Sequence, residues 1–284
     1  GLVGSEMCIR DSLLSNSKSY DWKSTADGAY NWKTDKFVVF DGSTWVTASV
    51  KAVRYYMDPR NFLDERGIFQ FESLKYRSDV QTQTGVENVL RNTPMYNTNF
   101  TYTNNAGKNV SIKYSKAFME AAAASKVSPY HLASRVKQEV VISSTMMSSS
   151  VSGNVAGYKG IYNFYNIGAN SGANAVKNGL KWASTGTDYS RPWNNRYRSI
   201  YGGACYIGKQ YINVGQNTLY LQKFNVTATK RYDHQYMANI EAPNNEATKT
   251  ANAYGSDKDN TPIVFSIPVY NLSLIHISEP TRPY

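Results

Sequence analysis

Glu139 stands alone among acids. It ends the run Ser128-Pro129-Tyr130-His131-Leu132-Ala133-Ser134-Arg135-Val136-Lys137-Gln138-Glu139, and no Asp or Glu follows until Asp188. The segment between them is rich in Ser, Gly, Asn and Tyr. One carboxylate beside a long, polar, acid-free stretch has the make-up of a general acid at the edge of a polar cleft, a surface suited to sugars. The competing reading is a solvated carboxylate paired with Arg135 one turn back, because such exposed pairs are common and weak.

Other chemistries find little support. His131, His234 and His276 share no metal-ligand spacing with Cys205, so no zinc or other metal is expected. No Gly-x-Ser-x-Gly element accompanies a usable His and Asp, and no glycine motif could cradle phosphate, so no cofactor is expected. Asp233-His234-Gln235-Tyr236-Met237 reads as a hydrogen-bonded structural turn.

The elements that must position Glu139 are mostly helices. Ser128 is a plausible N-cap and Pro129 suits the first helical position, where its missing N–H costs nothing. Leu132, Val136 and Val140 recur every four residues and share an inner face, with Arg135 and Glu139 on a neighbouring one. Helices are also expected from Thr84 onward, over Tyr114 to Ala124, over Val176 to Trp182 and over Asn194 to Ile207. Ser143 to Tyr158 turns to Ser, Thr, Met and Gly, and predicts a loop or hairpin arm forming the lip of a cleft. Tyr20 to about Val50 predicts short strands or an extended lead-in, and Ile68 to Glu72 a short strand or helix.

The chain has 284 residues, is 41% hydrophobic and carries a net charge of +10. That composition gives a real core, and no run of eighteen apolar residues predicts a membrane span. Basic residues are spread rather than clustered, which argues against nucleic acid and for a diffuse anionic partner such as a cell-wall polymer. Both ends, 1–12 and 271–284, are similar to translations of a transposase sequencing adaptor and are set aside as artefacts. They hold Arg10 and Arg282 against Glu6, Asp11 and Glu279, so the charge becomes +11 without them. Without Cys8 the remaining Cys205 has no partner for an intrachain disulfide. A lost start leaves export signals unread.

Two groups of motifs carry a resemblance. Ser128 to Glu139, followed by Tyr162-Asn163-Phe164-Tyr165-Asn166-Ile167-Gly168-Ala169, is similar to the bacterial N-acetylglucosaminidases of glycoside hydrolase family 73. Tyr56 to Leu63 and Arg191-Pro192-Trp193-Asn194-Asn195-Arg196-Tyr197 resemble further stretches of the autolysin-type members, so the likeness runs from about Tyr55 to Tyr270. It implies a mainly α (α+β), lysozyme-like helical domain over 55–270, with a small β-hairpin or loop lip and a partial, extended N-terminal region over 13–54. It also implies cleavage of the β-1,4 bond after N-acetylglucosamine in peptidoglycan, in a secreted, wall-associated protein expected to be a monomer. In that likeness Glu139 matches the general acid and Tyr189 the tyrosine near the reacting sugar. Tyr162, Asn163, Tyr165, Asn166 and Trp193 are expected to line the cleft, although alternate aromatics of this run, Phe164 first, suit the core.

One departure stands out. Many members of the family carry a second acid on the loop after the catalytic Glu, and this chain has none there. A retaining pair needs carboxyls about 5–5.5 Å apart and an inverting pair about 6.5–9.5 Å. Either Asp188, Asp58 or Glu72 supplies the second carboxylate, or the 2-acetamido group of the substrate acts in its place. The rival functions are a muramidase or lytic transglycosylase of the same fold and a non-catalytic wall-binding module.

Overall fold

Eight helices and six short strands make up the regular structure of a computed structural model that describes residues 21–22, 30–31, 33, 36–37, 46–48, 50–170, 172–227, 234–235 and 239–270. The adaptor-like ends, Asp233 and most of the N-terminal extension lie outside the described residues. In chain order the strands are β1 (Asp21–Trp22), β2 (Tyr30–Asn31), β3 (Lys36–Phe37), β4 (Val46–Thr47), β5 (Asn99–Thr103) and β6 (Asn109–Lys113). The helices are α1 (Val50–Met57), α2 (Gln83–Leu90), α3 (Tyr114–Ser125), α4 (Pro129–Val140), α5 (Ala175–Ser184), α6 (Arg196–Gln210), α7 (Leu219–Phe224) and α8 (Ala242–Tyr254). The fold is mainly helical, as expected, and no helix among the described residues is long and apolar enough to cross a membrane.

The chain divides into two compact units. One comprises residues 1–73, 215–249 and 264–284. Here β1 pairs with β4 and β2 with β3, all antiparallel, in the region expected to be extended. Helix α1 runs through residue 54, where the sequence suggested a boundary. Its buried Val53, Tyr56 and Met57 pack in one cluster with Phe62, Phe71, Tyr220 and Phe224. Tyr220 donates to the Met57 carbonyl at 2.7 Å and Tyr56 to Glu241 Oε1 at 2.6 Å, so the polar ends of two buried rings are satisfied.

The other unit comprises residues 74–214 and 250–263 and carries Glu139. Helix α4 begins where its sequence says it should: Ser128 Oγ accepts from the His131 N–H at 3.3 Å, and Pro129 takes the first position. Leu132, Val136 and Val140 are buried, so the four-residue spacing does mark the inner face. Helix α2 crosses close to α4, because Gly85 leaves room for the Tyr130 ring; a Cβ there would lie 2.3 Å from the Tyr130 hydroxyl. That hydroxyl in turn accepts from the Thr82 N–H at 2.9 Å. Helix α3 packs against α6, burying Ala117, Phe118, Ala121 and Ala122 on one side and Ile200 and Ala204 on the other.

The Ser-rich stretch forms a loop with one short antiparallel bridge, in keeping with the loop or hairpin arm expected there. Residues 141–163 are a braced loop: Val141 bridges Met147, a 3-10 turn spans Ser149–Val151, and the Asn163 N–H returns to the Ser150 carbonyl at 2.8 Å. The true hairpin of this unit is β5–β6, paired in register from Asn99↔Lys113 to Thr103↔Asn109.

Candidate active site

Glu139 is the penultimate residue of α4, and 29% of its side chain is exposed. Arg135 Nη2, one turn back, donates to Oε1 at 3.0 Å. Asn166 Nδ2 donates to the Glu139 carbonyl at 2.8 Å and reaches Oε2 at 3.3 Å. The amide therefore serves the otherwise unpaired carbonyl of the last helical turn and one carboxylate oxygen together. Among the described residues no carboxylate contacts Glu139; its polar partners are a guanidinium and an amide.

Asn166 can do this because the chain turns sharply beneath it. Its φ of 49° is left-handed, a conformation that Asn tolerates better than most residues. The turn is closed by Asn163, whose Nδ2 donates to the Ile167 carbonyl at 2.9 Å and to the Gly179 carbonyl of α5 at 3.0 Å. Asn163 Oδ1 accepts from the Ile167 N–H at 3.2 Å, so its whole amide is consumed. The Phe164 N–H donates to Ser199 Oγ of α6 at 3.1 Å, pinning the same turn from the other side.

Three residues expected to line a cleft are instead buried. Asn163 and Trp193 are fully buried and Tyr165 is 5% exposed. Asn163 is used up in shaping the turn. Trp193 packs edge-on against Trp182 with ring centroids 5.1 Å apart, and its Nε1 donates to the Tyr189 carbonyl at 2.8 Å. Tyr165 fills the notch left by Gly203, where a Cβ would come within 2.2 Å of its ring. Its hydroxyl is buried without a partner among the described residues, and burial, with Cys205 as a lesser cause, pushes the phenol well above its usual range. All three side chains are packed in the interior of this unit.

Tyr162, Asn166 and Tyr189 do retain exposure. The Arg196 guanidinium sits 5.1 Å over the Tyr162 ring, and the Tyr162 N–H donates to the Trp193 carbonyl at 3.0 Å. Tyr189 has φ 56° and ψ 38°, unusual for a bulky residue. Its carbonyl lies against Gly202, where a Cβ would be 2.0 Å away. The Tyr189 ring meets Tyr206 edge-on at 5.2 Å, with Lys209 Nζ 5.6 Å from the ring centre. Thus the adjacent glycines of α6 admit both the Tyr189 turn and Tyr165.

The other candidate acids have partners of their own or, among the described residues, none within hydrogen-bond reach. Asp188 is 80% exposed, with Arg191 Nη2 at 3.9 Å, beyond hydrogen-bond reach. Asp58 and Glu72 belong to the unit that lacks Glu139. Asp58 caps the 3-10 turn Pro59–Phe62 and pairs with Arg60 at 2.5 Å. Sequence reasoning missed the roles of Ser199, Gly202, Gly203 and Arg196. The pair of glycines inside a helical pattern was the one available signal, since glycine there weakens a helix unless something must approach closely.

No family model matches the chain. It is 29% identical over 230 residues to a β-N-acetylglucosaminidase of Bacillus subtilis (strain 168), covering 80% of this chain and 23% of that protein. The chain thus spans under a quarter of that curated relative. Its fold matches S. aureus glucosaminidase B with a TM-score of 0.59 at 23% identity, over 87% of this chain and 83% of the other. It also matches a catalytic mutant of S. aureus autolysin E in complex with the disaccharide NAG-NAM, with a TM-score of 0.51 at 16% identity, over 95% and 100% of the two chains. By sequence the chain is similar to a bacterial β-N-acetylglucosaminidase, and it shares the mainly helical fold of the S. aureus glucosaminidase and autolysin structures.

Proposed function

We propose that this chain is the catalytic part of a peptidoglycan hydrolase that cleaves the β-1,4 bond after N-acetylglucosamine. The observation that carries the reading is the setting of Glu139: a half-buried carboxyl at a helix end, with both oxygens engaged by non-acidic groups. The kinship to a β-N-acetylglucosaminidase and the disaccharide bound by autolysin E support a glycan of alternating N-acetylated sugars as substrate.

Glu139 gives its proton to the glycosidic oxygen as the bond to the anomeric carbon breaks. The Arg135 guanidinium stabilises the carboxylate that remains, and Asn166 keeps the side chain aimed. With no acid among the partners of Glu139, the 2-acetamido carbonyl oxygen of the same sugar closes on the anomeric carbon. Water then opens that ring, returning its proton to Glu139 and regenerating the acetamido group. Tyr162 and Tyr189 offer flat faces for sugar C–H groups and hydroxyls for hydrogen bonds. The protein is secreted to the wall, where its positive charge favours anionic wall polymers.

Purified peptidoglycan, digested and then reduced, tests this directly. Mass spectrometry should find N-acetylglucosamine at the new reducing ends; muramic or anhydromuramic ends would replace the reading with a muramidase or transglycosylase, and no release with intact binding would leave a binding module. Glu139→Gln should lower the rate by about 100-fold or more, in line with loss of general acid catalysis. Asp188→Asn should stay within about threefold; a loss as deep as that of Glu139→Gln would overturn the acetamido route.

A further inference from the structure

The unit that carries Glu139 has a polar recess, of about 320 Å³, between hairpin β5–β6 and the start of α6. None of its lining residues belongs to the Glu139, Arg135 and Asn166 cluster. Three tyrosines form its aromatic side. Tyr102 and Tyr197 stack within 4° of parallel at 4.6 Å, and Tyr197 and Tyr201 follow at 6.0 Å and 21°. The hydroxyl of Tyr197 is taken by Glu120 Oε2 at 2.8 Å, whereas among the described residues those of Tyr102 and Tyr201 have no hydrogen-bond partner. The rest of the lining is neutral amide and hydroxyl, including Asn105 and Ser190, with one cation, Arg198, and no carboxylate.

Arg198 is held in place by its own bonds. Nε donates to the Ser190 carbonyl at 3.1 Å and Nη1 approaches Asn194 Oδ1 at 3.5 Å, which leaves Nη2 without a partner among the described residues. Asn105 likewise makes no hydrogen bond among the described residues. The recess thus combines tyrosine rings, unspent phenols, a free side-chain amide and one guanidinium donor. Its volume lies at the low end of ligand pockets, about 300–1,000 Å³, and suits a single ring.

We infer that this recess is a carbohydrate subsite that takes one N-acetylated pyranose of the glycan, a unit other than the one whose bond is cleaved. The identity of the glycan rests on the hydrolase reading. A pyranose presents C–H groups to an aromatic side and equatorial hydroxyls and an acetamido group to Asn, Ser and Arg donors. An anionic polymer would call for more than one cation. Ser190 directly follows Tyr189, so the recess is joined through the backbone to the tyrosine expected beside the reacting sugar.

Peptide-free peptidoglycan glycan strands, titrated calorimetrically into the Glu139→Gln chain, test the subsite without cleavage. Adding Tyr102→Ala should weaken binding about tenfold, and Tyr102→Phe should bind within threefold of the parent because the ring face remains. Asn105→Ala, an exposed change unlinked to the fold, should weaken binding about threefold and decides the matter if Tyr102→Ala does not fold. Tyr96→Ala, at a tyrosine outside the recess, should change nothing. Unaltered binding by Tyr102→Ala and Asn105→Ala overturns the subsite. If the unsubstituted chain releases no sugar while Tyr102→Ala still weakens binding, the hydrolase reading fails and the subsite stands; a chain that neither binds nor cleaves the strands overturns both.

Discussion

At the scale of single residues, the same side-chain types serve the site and the interior of its unit. Asn163 and Asn166 lie three positions apart, yet one is consumed internally and the other reaches Glu139. Nothing in their type separates them, and a turn has no periodicity to do so. Geometry alone decides. His131, at the start of α4, shows how burial sets a residue apart. Burial first, and the Arg135 charge second, lower its pKa from 6.5 to about 3. The unfolded chain therefore takes up a proton at this site as pH falls below about 6.5, while the native protein stays neutral there until about 3. Stability from this group is complete above 6.5 and is lost on acidification through that window, by up to about 1.4 kcal/mol per pH unit. Denaturant titrations between pH 7 and 4 should show the slope, and His131→Gln should flatten it; an equal slope in both would refute the assignment.

At the scale of elements, α4 was the most legible part of the chain because its cap, its proline and its apolar spacing all agree. The β5–β6 hairpin was legible too, in Asn99-Phe100-Thr101-Tyr102-Thr103 and Asn109-Val110-Ser111-Ile112-Lys113 around a Gly107 turn, but the Ser-rich lip drew the expectation instead. What no local pattern could give is the fastening of α4 to distant chain. Lys137 Nζ donates to the carbonyls of Val89, in the last turn of α2, at 2.9 Å, of Arg91, just past its end, at 3.2 Å, and of Ala253 in α8 at 2.7 Å. One ammonium thereby satisfies carbonyls that two helix ends leave open. Lys137→Met keeps the aliphatic stem and removes the donor. It should lower stability by about 2–3 kcal/mol, read as a drop in thermal midpoint; a midpoint within one degree of the parent would show that the three bonds contribute little.

At the scale of the whole molecule, the net charge of +10 is spread along the chain rather than gathered into a stripe. Attraction to an anionic wall should then be long-ranged, weak per contact and sensitive to ionic strength. Binding to purified cell walls should fall severalfold as salt rises from about 0.05 to 0.5 M, where the screening length drops well below about 10 Å. Removing anionic polymers from the walls should have the same effect, and salt-independent retention would point to recognition of the glycan alone. The chain passes between its two units four times, at residues 73/74, 214/215, 249/250 and 263/264. The unit holding Glu139 is thus assembled from two separated lengths of chain, and Lys137 joins them through Ala253. For a chain made from its N-terminus, this puts the site on a clock: Glu139 is synthesised near the midpoint, but its scaffold is complete only after residue 263 has left the ribosome. Catalytic competence is in that sense a late event, and a nascent chain stopped after α6 would carry every residue of the site without the piece that fastens its helix.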